Sequence, residues 1–267
     1  MMDRPPESGL AEEAQRARTA DGALLENLLF HRSGEVLEAL LKNPRLGEKH
    51  LAILLSRRDL SRDIVARIAQ NREWMKSYPL KLAVVKHPHT PRHLALPLFR
   101  FLYLFDLLNV AATPGVAPEL QRVAEEAILS QQEGLALGQR LSLARRGSHR
   151  IAAGLLRDSD HRVIEAALSN PAMTEHAIAG ALLEPKTGQE LTAAVLAHDR
   201  WIARHGVKLA LLRNRHLSLA RVMALLPTIA RSDLNDLTED PRVREEVRRY
   251  VAKLIQTRRV RRDKEKV

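Results

Sequence analysis

The chain has 267 residues, 45% of them apolar, and a net charge of +11, which is enough material for one or two domains with a substantial core. It contains no cysteine, and that excludes disulfides, thiolate metal sites and cysteine nucleophiles together. Aromatic residues make up only 3%, so Leu, Ala, Ile and Val must carry the burial, as in helical arrays.

Residues 1–22 are polar and lack the basic-then-apolar order of a secretory signal, so they read as a disordered lead-in to a cytoplasmic protein. From residue 23 to 124 the apolar spacing follows the helical period. Val36, Leu37, Leu40 and Leu41 form one stripe, Leu51, Leu54 and Leu55 the next, and Ile64, Ile68 and Ala69 another. Asn43-Pro44, His87-Pro88 and Thr113-Pro114 each close one helix or open the next, and Thr90-Pro91 is expected to start a helix running to about Leu102. Residues 94–112 approach the length of a membrane span, but Pro97, Arg100, Asp106 and Asn109 interrupt them and argue against one.

Residues 125–144, with Gln131-Gln132-Glu133-Gly134 and Gly138, read as a joining helical segment that ends one helix, turns and starts the next half without a flexible linker. A second helical stretch, 145–255, closes on Val243, Val247, Tyr250, Val251, Leu254 and Ile255 along one face. Residues 256–267 form a basic tail, and the last 26 residues, 242–267, hold eleven Lys/Arg against four Asp/Glu. The pattern predicts helices of 10–14 residues joined by short turns, each too short to stand alone.

Shifted by 127 positions, residues 36–124 lie over 163–251 without a gap, and 22 of the 89 pairs are identical. Composition alone would give about seven or eight. Trp74 falls on Trp201, Asn43-Pro44 on Asn170-Pro171, Lys81-Leu82-Ala83 on Lys208-Leu209-Ala210, Asp106-Leu107 on Asp233-Leu234, and Pro114 on Pro241. The expected fold is therefore all-α: a right-handed α-solenoid of stacked helix pairs built from two tandem duplicated halves.

The run Leu156-Arg157-Asp158-Ser159-Asp160-His161-Arg162-Val163, followed by Ala166 and Leu168, resembles the turn and second helix of a HEAT repeat. That resemblance implies two aspartates capping the turn and an arginine in an interhelical polar ladder. The Asn-Pro phrases at Asn43-Pro44 and Asn170-Pro171 are similar to the leucine-rich repeat variant, a related helical solenoid. The whole also looks like an uncharacterised bacterial helical-repeat family carrying Trp, Lys-Leu-Ala, Asn-Pro and Asp-Leu in this order. These motifs imply a fold and hardly an activity. The iron–sulfur cluster of a known leucine-rich-repeat-variant protein does not carry over, because its cysteine ligands are missing here.

No Gly-rich phosphate loop, nucleophile elbow or His-Glu-x-x-His occurs, so no catalytic residue, cofactor or metal is expected. Trp74 and Trp201 read as staples of a helix start. Asp106 and Asp233 read as helix caps rather than as the catalytic carboxylate of a HEAT-like DNA glycosylase. His87, His89 and His93 are kept off one helical face by Pro88 and Pro91.

The two halves differ most where Phe99, Phe101, Tyr103 and Phe105 meet Leu226, Thr228, Ala230 and Ser232. These aromatics either pack on 125–144 or form an exposed surface for a partner or for self-association. On a helix, Phe101 and Phe105 share one face and Phe99 and Tyr103 another, so one pair is expected in the core and one outside. Arg258, Arg259, Arg261, Arg262, Lys264 and Lys266 are a candidate polyanion contact or a solubilising end. The expected function is a non-enzymatic scaffold or adaptor for protein partners. The alternative is nucleic-acid binding, related to DNA repair, through a basic surface and tail.

Overall fold

The computed structural model describes residues 7–185 and 187–264, with side chains placed from residue 9 to residue 257 apart from residue 186. The described residues are helical or in turns and contain no strand. They divide into two compact units, Met1–Gln131 and Gln132–Val267.

In the first unit the helices are α1 (Glu7–Ala17), α2 (Gly22–Leu28), α3 (Gly34–Leu40), α4 (Glu48–Ser56), α5 (Arg62–Gln70), α6 (Tyr78–Lys86), α7 (Arg92–Ala95), α8 (Leu104–Ala112) and α9 (Pro118–Ser130). Each packs mainly on the helix after next: α1 on α3, α3 on α5 and α5 on α7, and likewise α4 on α6 and α6 on α8. The last pair, α8 and α9, packs directly. The core is aliphatic, with Leu40, Leu51, Leu54, Ile64, Ile68, Leu80 and Leu120 fully enclosed. The helices α4, α5, α6 and α8 span nine residues each, shorter than the periodicity predicts. Ser61 and Ser77 accept from Ile64 N–H and Leu80 N–H, satisfying donors that the first turn leaves orphaned.

The second unit holds α10 (Leu137–Arg146), α11 (His149–Leu155), α12 (His161–Leu168), α13 (Glu175–Leu183), α14 (Gln189–Ala197), α15 (Asp199–Ile202), α16 (His205–Arg213), α17 (Leu219–Leu225), α18 (Arg231–Glu239) and α19 (Glu245–Lys264). Here α10 packs on α12 and α12 on α14, α13 on α16, and α18 on α19. Asp160 caps α12 by accepting from Arg162 N–H, and Asp158 accepts from Asp160 N–H while pairing with Arg140. The bounds of α4, α5, α6 and α8 become those of α13, α14, α16 and α18 on adding 127, and α2 becomes α11 in the same way.

The segment 125–144 holds the end of α9, a short 3₁₀ turn at Gln132–Gly134 and most of α10, with the boundary between the units inside it. Three expectations need correction. Residues 7–17 are helical rather than a disordered lead-in, and Ala17 and Ala20 are buried: small apolar groups in a polar stretch suffice to pack α1 on α3. Thr90 does not cap forward; its hydroxyl turns back 2.5 Å onto the Val84 carbonyl, which also accepts from His87 N–H at 3.1 Å. Residues 92–102 form no continuous helix, because Pro97 lacks an N–H and the chain tightens into a 3₁₀ segment at Leu96–Phe101.

Candidate functional site

A recurring polar residue closes the helices and ties each to earlier backbone. Asn43 donates through Nδ2 to the carbonyls of Ala17 (2.9 Å) and Ala20 (2.8 Å) and accepts from Arg45 N–H (2.9 Å). Asn170 repeats this with Ala144 (2.7 Å), Gly147 (3.0 Å) and Ala172 (2.7 Å), each partner 127 residues on. Asn214 donates to Leu182 O and accepts from His216 N–H. At the position 127 residues before Asn214 stands His87, buried, with Nδ1 accepting from His89 N–H (3.2 Å) and Nε2 2.8 Å from Arg57 O. Only the neutral Nε2–H tautomer satisfies both partners. Burial accordingly pushes the His87 pKa down. His89 reaches Leu60 O and His93 is exposed, so the three histidines serve separate places.

A polar pair recurs with its acidic member on the opposite side. Glu13 Oε2 lies 3.1 Å from His31 Nε2, and at the same offset Arg140 pairs with Asp158. Both His31 and Asp158 also accept from the N–H two residues on.

The tryptophans part company. Trp201 is 2% exposed, and its Nε1 donates to Leu168 O at 2.8 Å, which fixes α15 against α12. Trp74 is half-buried and lines a cavity of about 300 Å³ with Glu38, Leu41, Lys42, Arg67, Gln70 and Asn71.

The four candidate aromatics do not sort into the expected pairs. Phe99 is 6% exposed, whereas Phe101, Tyr103 and Phe105 are 43%, 69% and 48% exposed. The cause is the backbone: Phe99 and Phe101 lie on a 3₁₀ turn, Leu102 and Tyr103 are extended, and Phe105 begins α8. A spacing of four therefore no longer means a shared face. Phe99 meets the core on the segment that packs against α9, and the other three gather outside.

Tyr78 organises this outer group and escaped the sequence reading. Its hydroxyl donates to Asp106 Oδ2 at 2.5 Å and accepts from Tyr103 N–H at 3.0 Å, and its ring packs on Tyr103 with centroids 4.6 Å apart. Burial first, and the Asp106 carboxylate second, push the Tyr78 pKa up, so the phenol remains a donor. Asp106 is thus in the first turn of α8 holding a tyrosine, rather than capping it; Asp233 lies 3.5 Å from His205 in the corresponding place. The signal was present in the offset, which sets Tyr78 over His205 and Asp106 over Asp233. Lys81 Nζ and the Arg100 guanidinium each sit 4.6 Å from the Phe101 ring centroid. The segment 101–105 thus presents three exposed rings, one packed on Tyr78 and one carrying two cations, as an aromatic platform.

The backbone of the basic end is helical through Lys264, and α19 carries it on from Glu245 without a break. The side chains of Arg258, Arg259, Arg261, Arg262 and Lys264, and all of Lys266, lie outside the described residues. Among the described residues no helix is long and apolar enough to cross a membrane. No family model matches the chain, and neither a curated protein nor a solved structure matches it.

Proposed function

We propose that the chain is a HEAT-like right-handed helical solenoid of two tandem copies, and that it works as a non-enzymatic scaffold holding a protein partner on the aromatic platform of its first copy. Support for two copies comes from the shared offset of 127 in helix bounds and in the Asn43 and Asn170 hydrogen bonds. Support for a solenoid comes from the packing of α1 on α3, α4 on α6, α10 on α12 and α12 on α14, each on the next helix but one.

One observation carries the functional reading. The first unit exposes Phe101, Tyr103 and Phe105 where the second has Thr228, Ala230 and Ser232 on matching backbone. The fold does not need these rings outside, since the second unit makes the same elements without them. Exposed, clustered aromatics held by hydrogen bonds are the residues from which binding hot spots are made.

A photo-crosslinking residue at Phe105, introduced into the full chain in its native cell, tests this. A discrete protein adduct that resists nuclease supports the scaffold. An adduct that disappears with nuclease supports the rival reading, nucleic-acid binding, for which the +7 charge of residues 242–267 speaks. No adduct at all refutes the platform's role.

A further inference from the structure

We infer that the Phe101–Tyr103–Phe105 platform receives an acidic protein segment with an apolar side chain beside its carboxylates. The inference rests on the scaffold reading and names the chemistry of its partner.

Charge complementarity selects the carboxylate. Lys81 and Arg100 bring their cationic groups over Phe101 and pair with no carboxylate among the described residues. Nearby, Lys76 pairs with Glu73 at 2.7 Å, and the Asp106 carboxylate accepts from the neutral Tyr78 hydroxyl, which leaves its charge beside those of Lys81 and Arg100. Among the described residues, two cations without an ion-pair partner flank three half-exposed or exposed rings. An aromatic ring is negative on its face and positive at its edge. The two cations sit at the Phe101 ring, and Tyr78 covers part of Tyr103, which leaves the Phe101 edge and much of Tyr103 and Phe105 open. Edges and cations alike attract a carboxylate, and the apolar area of Tyr103 and Phe105 takes the neighbouring side chain.

At Phe101 the same geometry disfavours a stacked base, which would compete with Lys81 or Arg100 for the ring face. A basic segment is disfavoured by those cations directly.

Panning a random-peptide display library on the full chain tests the inference. Counter-selection uses the triple variant Phe101→Thr, Tyr103→Ala, Phe105→Ser, which installs the second unit's residues. The expected peptides carry Asp or Glu next to Phe, Leu or Trp. Their binding, followed by fluorescence anisotropy, should weaken about tenfold or more in the triple variant, and likewise in Lys81→Ala/Arg100→Ala. Added salt should weaken it too. Unchanged far-UV circular dichroism and thermal midpoint separate lost binding from lost fold, and the cation variant leaves the rings in place as a second check. Peptides that require the rings but are neutral or basic overturn the inference and leave the scaffold reading standing. Peptides indifferent to the triple variant, or none above its background, overturn both. Platform-dependent binding of single-stranded oligothymidylate overturns the inference in favour of nucleic acid.

Discussion

His87 offers a test in which the chain supplies its own control. Replacing His87 by Ala removes the donor to Arg57 O and the acceptor for His89 N–H, both part-buried bonds around a residue only 3% exposed. Each buried group left unpaired costs about 1–3 kcal/mol, so the Ala variant should lose about 2–5 kcal/mol. His87→Asn should lose under about 1 kcal/mol. Asn214 shows how an amide fills the corresponding place, donating to Leu182 O at 2.6 Å and accepting from His216 N–H at 2.7 Å, and Leu55 stands 127 residues before Leu182. The pH dependence separates the variants further. The unfolded chain titrates this imidazole near pH 6.5, whereas burial holds the folded one lower, so the unfolded state takes up the proton first. Stability from neutral His87 is full above about pH 6.5 and is lost as pH falls toward the folded value. His89 at 5.6 Å and Arg58 push in the same direction as burial, while Asp59 and the bond to Arg57 O oppose it. Urea unfolding of wild type and His87→Asn between about pH 8 and 5 reads the difference. The Asn variant should gain on wild type as pH falls; parallel curves would refute the neutral, doubly bonded imidazole.

Other outcomes follow from the same geometry. Asn43→Ala and Asn170→Ala each lose three matched hydrogen bonds and should cost about 2–4 kcal/mol apiece in denaturant unfolding, with similar values for the two sites. Trp201→Ala should cost about 3–5 kcal/mol, and Trp74→Ala clearly less because that indole is half-exposed. The guanidinium of Arg242, joined by Arg213 and opposed by burial, holds the Asp240 carboxyl well below the usual carboxylate range. Its stabilisation is present above about pH 4 and lost as pH falls further, so Asp240→Asn should lower the urea midpoint at neutral pH and flatten the acid limb.

Helical class was legible from the spacing of Leu and Val, and the turns from Asn-Pro and Thr-Pro. What Asn43 does there was not, because its partners lie 23 and 26 residues upstream and only packing brings them near. The composition of residues 1–22 hid α1, since polar residues outnumber the few alanines that anchor it. Phe99 and Tyr103 read as one helical face because a helix period was carried on from Pro97 through Leu102 and Tyr103, which are extended. The proline shortened the local turn, and three rings moved outward. Tyr78 shows the opposite case: its role was encoded in the offset, but only the 2.5 Å bond to Asp106 gives the coincidence with His205 and Asp233 a meaning.

The reversed pair gives the chain a way to tell its own parts apart. Polypeptides with two similar stretches in tandem are prone to assemble a segment of one into the place of the other. Were α1 to dock in the seat of α10, Glu13 would face Asp158, acid against acid; the reciprocal exchange would set Arg140 against His31. Correct pairing brings Arg140 to Asp158 and Glu13 to His31, so the wrong assembly loses two attractions and gains a repulsion between carboxylates. The helices α1 and α10, 11 and 10 residues long, thus carry opposite charges at one position, and the folding chain is steered to a single partner for each.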